Sequence, residues 1–249
     1  MKTNSAFDYA FDHLVIIARD DLDALSSQFS ERGFQITPKA HHNLGSSNRL
    51  IMLDSSYIEL LGWGKGEIPK RAEIAEQPIG LDAIVFRTND AEACYQRLKD
   101  KGFLVNSVQE LTRESEYNNT SVLVKFKTVR FSAQPIAGLR IYFCEHITPQ
   151  YVWQEQWLNH PNHLEHLAQI TISSSDVINT TEILKRLLDL CSQQIITDPK
   201  TTHLTLSNIQ LKVQFDKEAL HASIQNAQVI KYPPNPVDFI INSDFFNHL

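Results

Sequence analysis

Two side chains that could bind a metal ion lie inside strongly apolar segments of this chain. His13 falls within residues 11–18, and Glu59 falls within residues 57–61. A buried polar side chain needs a partner, and an imidazole nitrogen with a carboxylate oxygen suits zinc, iron(II), manganese or nickel. A metal with an open coordination position could polarise a carbonyl or enediol oxygen, or activate water. The alternative is that the two side chains bond each other or face solvent.

A second polar group precedes a predicted strand at residues 48–53. His42 could serve as a general acid or base near neutral pH. Arg49 could hold a carboxylate or phosphate through two hydrogen bonds, and Asn48 could orient a carbonyl. We therefore assign proton transfer to His42 and substrate binding to Asn48 and Arg49. The alternative is a polar hairpin loop with its arginine in water.

A segment rich in tryptophan, histidine and proline lies at residues 148–162. On a helix, Trp153 and Trp157 would share a face, because they are four positions apart. Their rings could pack the linker against the rest of the protein. Alternatively, they could cover a cleft and contact an apolar or aromatic substrate there. We include Trp153 and the nearby His146 among the substrate-binding candidates.

The elements that must position these residues recur along the chain. An apolar strand is followed by an amphipathic helix that ends at a glycine–phenylalanine pair, called the stop, and then by three further strands. The same order of elements then occurs a second time. The two stops, Gly33-Phe34 and Gly102-Phe103, are 69 positions apart. An internal repeat is stronger evidence for a fold than any local motif. The predicted strands are at residues 11–18, 34–38, 48–53 and 57–61, and then 81–86, 105–110, 122–131 and 139–143.

A third, fainter copy follows the linker. It combines a strand at residues 167–172, a helix with an apolar face, and strands at residues 203–206 and 209–215. The proline-rich stretch 232–236 is predicted to be irregular, and the acid-rich stretch 110–116 to be a solvated loop. The predicted divisions are a first module at 1–66, a second at 78–147, a linker at 148–162, and a divergent third module with an irregular tail at 163–249.

The composition of the chain argues against two classes of binding partner. The 249 residues carry a net charge of −6 and no long basic run, so nucleic acid and anionic membranes are not expected as partners. The polar start lacks the apolar core of a signal peptide, and three cysteines without a paired spacing suit a reducing compartment. We therefore expect a cytoplasmic protein. No nucleotide-binding glycine motif is present, so no nucleotide cofactor is expected.

The repeat resembles the vicinal oxygen chelate superfamily, and the first module resembles its glyoxalase-like domain group. The resemblance is carried by Asp12-His13-Leu14-Val15, by residues 42–49, by Tyr57-Ile58-Glu59-Leu60 and by the linker through residue 162. It implies an α+β fold in which tandem βαβββ modules form a curved mixed sheet around a cleft. It also implies metal ligands on the first and fourth strands of a module, which are the positions of His13 and Glu59.

The second module departs from that pattern, since Ala83 and Tyr142 align with His13 and Glu59. In the third module, His166 and Gln210 fall at the corresponding positions, so His166 is a further candidate metal ligand.

The resemblance implies a metal-dependent lyase, isomerase or dioxygenase that acts on a small carbonyl or oxygen-rich metabolite. The alternative is a metal-free protein of the same fold that binds a small molecule. Dimers are common in this fold, so a homodimer is also expected.

Overall fold

Two mixed β-sheets and three of the four α-helices in the described residues pack around one main hydrophobic core in the computed structural model of this chain. The structure describes residues 9–67, 69–198, 200–231, 239–247 and 249. The polar start and the proline-rich stretch 232–236, on which two of the predictions fall, lie outside the described residues.

The first sheet has eight strands and is built from two βαβββ modules in tandem. Its order is β2-β3-β4-β1-β5-β8-β7-β6, so the first strands of the two modules, β1 and β5, lie side by side and antiparallel. The predicted α+β class with tandem βαβββ modules is therefore confirmed. The strands are β1 Phe11–Arg19, β2 Ala40–His41, β3 Ser47–Met52, β4 Tyr57–Gly62, β5 Gly80–Arg87, β6 Gln109–Tyr117, β7 Thr120–Arg130 and β8 Arg140–His146.

The two outer edges of this sheet approach each other, so the sheet curves almost into a closed barrel. The amide of Asn43 donates to the carbonyl of Thr112 at 3.1 Å. Beside that bond, His42 and Arg113 form an isolated antiparallel bridge. The inner, concave face of the sheet is therefore enclosed on both sides.

The second sheet has six strands in the order β10-β11-β12-β9-β13-β14. Its central strand β9 pairs in parallel with β12 and antiparallel with β13, as β1 pairs with β4 and β5. The division of the chain into modules and linker stays a prediction. The strands are β9 His166–Ser174, β10 Ile195–Thr197, β11 Thr201–Thr205, β12 Gln210–Phe215, β13 Ser223–Ile230 and β14 Phe239–Asn242.

The main core lies between the outer face of the first sheet, one face of the second sheet and the amphipathic helices. Apolar side chains at a helical spacing, such as Leu22, Leu25 and Phe29, turn one face of each of the three longer helices into this core. Gly33 ends the first helix with φ of +80°, a conformation that favours glycine. The helices are α1 Leu22–Glu31, α2 Ala72–Ala75, α3 Ala91–Asp100 and α4 Val177–Leu188.

A smaller core lines the concave face of the first sheet. Along β1, Leu14 and Ile16 face the main core, whereas Val15 and Ile17 face the concave side. The same period of two runs through β3, β4 and β8, whereas register shifts interrupt it between Phe11 and His13 and between Val15 and Ile16 where β1 pairs with β5. The linker covers part of the concave side with two short 3₁₀ turns, Pro149–Tyr151 and Glu155–Trp157. Its Val152 is part of the concave core, and Trp153 packs against that core.

Three predicted elements were wrong. The strand predicted at residues 105–110 is mostly irregular, since only its last two residues belong to β6. Residues 34–38 form no ladder and run instead as extended chain, tied to β3 by the bond from the Thr37 amide to the Leu50 carbonyl. Residues 110–116 are not a loop but most of β6, the long edge strand that pairs with β7. Cross-strand pairing stabilises this stretch although its side chains are mostly charged. No helix among the described residues is long and apolar enough to cross a membrane.

Candidate functional site

Strand alternation brings four polar side chains to one point on the concave face. His13 from β1, Asn48 from β3 and Glu59 from β4 all project to the side of the sheet that carries Val15. His42 reaches the same point from the turn before β3. All four side chains are buried. The structure thus brings together two of the predicted metal ligands, the predicted proton-transfer residue and one predicted substrate-binding residue.

The carboxylate of Glu59 is the centre of this group. One oxygen, Oε1, accepts a hydrogen bond from Asn48 Nδ2 at 2.7 Å. His13 Nε2 lies 3.7 Å from Oε2, and His42 Nε2 lies 3.9 Å from Oε1. Burial alone would raise the pKa of Glu59, but the His13 and His42 rings lower it. The bond from Asn48 adds to this effect, so Glu59 is an ionised, buried carboxylate with one oxygen facing open space.

His13 is held by the residue next to it in sequence. Asp12 accepts a hydrogen bond from His13 Nδ1 at 2.7 Å. The other ring nitrogen, Nε2, forms a hydrogen bond with the Tyr142 hydroxyl at 3.1 Å. Tyr57 stacks on the ring with centroids 4.5 Å apart. Carboxylate, hydroxyl and aromatic ring therefore aim Nε2 of His13 towards Glu59.

Asp12 is a fully buried carboxylate at the centre of a hydrogen-bonded network. Its carboxylate also accepts from Arg87 Nε at 2.6 Å and from His146 Nε2 at 2.9 Å. Burial would raise the pKa of Asp12, but His146 and His13 hold it well below its ordinary value. Trp153 covers the network, with Arg87 Cζ 4.6 Å from its ring centre. The predicted substrate-binding residues His146 and Trp153 therefore support Asp12.

Three arginines surround the carboxylate without pairing with it. Arg71 from the loop before α2, Arg113 from β6 and Arg130 from β7 line the same cavity. Arg71 and Arg113 are only 8% and 6% exposed, and burial lowers the pKa of both. Arg130 pairs with Glu73, outside the cavity, at 3.0 Å. The cavity therefore combines one carboxylate with three guanidinium groups and carries an excess of positive charge.

His42 is a neutral imidazole at physiological pH. Burial lowers its pKa to about 3, and although Glu59 opposes that shift, Arg71 reinforces it. Its Nδ1 donates to the Ser46 hydroxyl at 3.0 Å, and its Nε2 lies 3.4 Å from the Asn48 amide nitrogen. A neutral ring in these contacts can accept a proton only weakly, so His42 orients the amide that holds Glu59.

The site consists of a narrow inner cavity and a wide outer cleft. The inner cavity, around Glu59, measures about 20 Å³, which is room for about one water molecule. The outer cleft measures about 1080 Å³ and lies between the β6–β7 hairpin, the turn before β3 and the linker. His42, Leu50 and Arg113 line both spaces, so these three side chains form the boundary between them.

Two predicted site residues lie elsewhere. Arg49 projects to the opposite face of β3 and pairs with Asp23 of α1 at 3.1 Å. His166 begins β9 on the second sheet and bonds Asp54 at 3.1 Å. Neither residue lines the inner cavity or the outer cleft. Sequence reasoning did not single out Arg71 and Arg113, because the first stands alone in a loop and the second lies in the stretch predicted to be solvated.

Among the described residues, the side chains beside Glu59 bring no three ligand atoms close enough together to hold a divalent metal ion, although His13 with Glu59 (3.7 Å) and His42 with Glu59 (3.9 Å) are each close enough as a pair. The donor types of His13, His42 and Glu59 are suitable. However, metal–ligand bonds of about 2.1 Å require ligand atoms within roughly 4.2 Å of one another. Among the described residues, the single group of three His, Cys, Asp or Glu ligand atoms within 4.8 Å is Asp12, Cys144 and His146.

That group does not suit a metal ion either. The Asp12 carboxylate is already bonded to Arg87, His13 and His146. Burial raises the pKa of the Cys144 thiol well above its ordinary value, so the thiol of the metal-free protein keeps its proton and a metal ion would have to displace it. Arg71 and Arg113, which form no ion pair with any described residue, would also repel a metal cation bound beside Glu59.

Comparison with known proteins places the chain in a family. Residues 11–188 match the model of a glyoxalase-like domain. A hypothetical protein from Staphylococcus aureus has a similar structure, with a TM-score of 0.68, 16% identity, and coverage of 89% of this chain and 95% of that one. A fusion of a xylose isomerase-like TIM barrel and 4-hydroxyphenylpyruvate dioxygenase gives a TM-score of 0.56 at 12% identity, covering 91% of this chain and 37% of that one. No curated protein matches significantly.

Proposed function

Since this chain belongs to the glyoxalase-like domain family of the vicinal oxygen chelate superfamily, we propose that its first sheet holds the active site of an enzyme that moves a proton on a small carbonyl compound. The reaction class is isomerisation or a related proton abstraction next to a carbonyl. The observation that carries the proposal is the ionised Glu59 carboxylate, buried and flanked by His13 Nε2 at 3.7 Å.

Glu59 is placed to act as the general base. Its Oε1 is engaged by Asn48, while no group among the described residues donates a hydrogen bond to Oε2. A carboxylate fixed beside a substrate can remove a proton from carbon because of its position, although the lowered pKa of Glu59 makes it a weaker base than a carboxylate in water. His13 Nε2 faces the same space, with its other nitrogen fixed by Asp12. The pair could therefore take a proton from one carbon and return it to another.

The arginines supply the electrostatic partner for such a step. Removing a proton next to a carbonyl places negative charge on the carbonyl oxygen, and the barrier falls when fixed positive charge already faces that oxygen. Arg71 and Arg113 are buried cations near Glu59, and neither forms an ion pair with it. Their charge would stabilise an enolate oxygen, so the proposed chemistry uses residues of this chain alone.

The proposal is tested by proton exchange in heavy water. Pyruvate, 2-oxobutanoate, dihydroxyacetone and glyceraldehyde would be incubated with chelator-treated protein, and deuterium uptake at carbon would be followed by NMR. We expect exchange of at least one compound with the wild type and its loss, by about a hundredfold or more, in Glu59→Gln. Glu182→Gln, an exposed change on α4, is the matched control and should leave the rate unchanged.

Metal content measured by plasma mass spectrometry completes this test. The wild type should hold much less than one equivalent after incubation with zinc, iron(II), manganese or nickel. Near one equivalent, lost in both His13→Ala and Glu59→Ala, would overturn the metal-independent mechanism and support the metal-dependent enzyme expected from the sequence. Exchange that survives in Glu59→Gln would contradict the role of Glu59.

A second candidate function is ligand binding without a reaction. It is favoured by the size of the two spaces, because the outer cleft holds about 1080 Å³ whereas the inner cavity admits about one water. A substrate of the enzyme must displace side chains at the boundary to reach Glu59. Compounds that bind without any exchange would support this candidate. A cytoplasmic location and a homodimer stay predictions from the sequence.

A further inference from the structure

Arg113 is a buried cation whose side chain has no hydrogen-bond or ion-pair partner among the described residues. It lies on β6 with its backbone opposite Val124, and its side chain is 6% exposed. Among the described residues its guanidinium forms no hydrogen bond and no ion pair, and the nearest ring, Phe126, has its centre 6.0 Å away. Burying an unpaired charge is costly, so this arrangement indicates that another group binds there.

A second incompletely bonded cation faces the same cavity. Arg71 is 8% exposed, its Nε has no hydrogen-bond partner, and its Nη2 reaches only the Ser46 hydroxyl at 3.5 Å. The side-chain oxygen of Asn48 in the same cavity is also unpartnered. Free donors from two arginines beside a free amide acceptor match a ligand with both an anionic oxygen and a hydroxyl or similar donor.

The charges of the outer cleft give this ligand an orientation. Glu114 and Glu116, exposed residues on the cleft wall, would repel an anion there. Lys39 also lines the cleft but is paired with Asp23 at 2.7 Å. An anionic group is therefore favoured at the inner boundary, where Arg113 lies, and the rest of the ligand in the outer cleft is favoured to be neutral or cationic.

We propose that Arg113, assisted by Arg71, forms a carboxylate-binding subsite at the boundary between the inner cavity and the outer cleft. The ligand class is a small monocarboxylate whose remaining part extends into the outer cleft. A planar carboxylate matches the two parallel donors of a guanidinium, and it suits a narrow space better than a bulkier phosphate. The inference deepens the proposed function and rests on it, since it names the class of carbonyl substrate as an oxo or hydroxy acid.

Isothermal titration at low ionic strength tests the subsite with pyruvate as the probe. Methyl pyruvate, which has the same shape without the charge, and inorganic phosphate are the comparison ligands. We expect pyruvate to bind the wild type more tightly than either, and Arg113→Met to weaken pyruvate about tenfold to a hundredfold. Arg113→Lys should recover only part of the loss, because it keeps the charge without the two parallel donors. Arg49→Met, an arginine outside both spaces, is the matched control.

Thermal unfolding separates binding from a structural role. A buried, unpaired arginine destabilises the fold, so Arg113→Met should be at least as stable as the wild type. A Met variant that is destabilised, or that binds pyruvate as well as the wild type does, would overturn the proposal, and so would tighter binding of phosphate. If the wild type catalyses no proton exchange but Arg113→Met still loses pyruvate binding, the proposed function is removed and the subsite remains. Proton exchange that persists in Arg113→Met would instead remove the proposed subsite and leave the proposed function.

Discussion

The two sheets of this protein share a strand order but differ in what their free faces carry. On the first sheet, β1 and β4 present His13 and Glu59 to an enclosed space. On the second, β9 and β12 occupy the corresponding positions, and β9 presents Gln169, Thr171 and Ser173 on the face opposite the core. The buried polar residues among the described part of the second sheet are all Ser or Thr, whereas the first has buried Asp, Glu, His and Arg.

The difference shows that the fold supplies an enclosed curved face and that individual side chains decide whether it carries chemistry. Apolar residues on alternate positions build the core of both sheets in the same way. Within the described residues, only the first sheet closes on itself, through the contact of Asn43 with Thr112. Burial of charge follows from that closure, because ionised groups are excluded from water only where both edges of the sheet meet.

The largest expected effect concerns Asp12, the fully buried carboxylate of β1. Asp12→Asn keeps the size but removes the charge that His13, His146 and Arg87 share. Loss of one partner from a buried ionic network should cost about 3–5 kcal/mol of unfolding free energy. The matched change on β9 is Ser173→Ala, which removes one hydrogen bond to Asp216 and should cost about 1 kcal/mol. Urea unfolding at neutral pH measures both values.

Equal losses of unfolding free energy in Asp12→Asn and Ser173→Ala would contradict the difference between the two sheets.

The pH dependence of stability gives a second test of the role of Asp12. Because the folded pKa of Asp12 lies well below its ordinary value, its contribution is present above about pH 4, the pKa in the unfolded chain, and is lost as the pH falls through the folded value. The stability gap between wild type and Asp12→Asn should therefore narrow in acid.

The next effect concerns His42, whose folded pKa is about 3. Its unfolded pKa is about 6.5, so between these two values the unfolded chain binds a proton that the folded chain does not. Stability therefore falls as the pH drops from about 6.5, and His42→Asn should remove this part of the dependence. Between pH 7 and pH 4.5 we expect the wild type to lose about 2 kcal/mol relative to the variant.

The control for this prediction lies on the second sheet. His203 on β11 bonds Gln210 at 3.0 Å and is half-buried at the sheet surface. His203→Asn should keep the pH dependence of the wild type. The measurement is the urea midpoint of each variant at the two pH values. The same change of midpoint in His42→Asn and His203→Asn would show that His42 is not held neutral by its surroundings.

Much of the first sheet could be predicted from the sequence, because the repeat and the period of two are local signals. Both glycine stops, at Gly33 and Gly102, have positive φ, and His13 and Glu59 do face each other. The arginines could not be predicted. Arg113 lies on an edge strand whose charged side chains resemble a loop, and only pairing with β7 reveals the strand. Contacts between distant segments, such as Asp12 with His146, likewise leave no local signal.

The smallest expected effect concerns Arg49, which the sequence places beside Asn48 among the substrate-binding candidates. Adjacent residues on a strand face opposite sides, and the structure turns Arg49 towards Asp23 on α1, whose side chain is 68% exposed. Such a surface ion pair contributes about 1 kcal/mol or less. Arg49→Met should therefore change stability little and leave pyruvate binding and proton exchange at wild-type values, while Asn48→Ala, which frees Glu59, should alter both. A loss of binding in Arg49→Met would move the substrate to the helix side of β3 and remove the concave face from its central role.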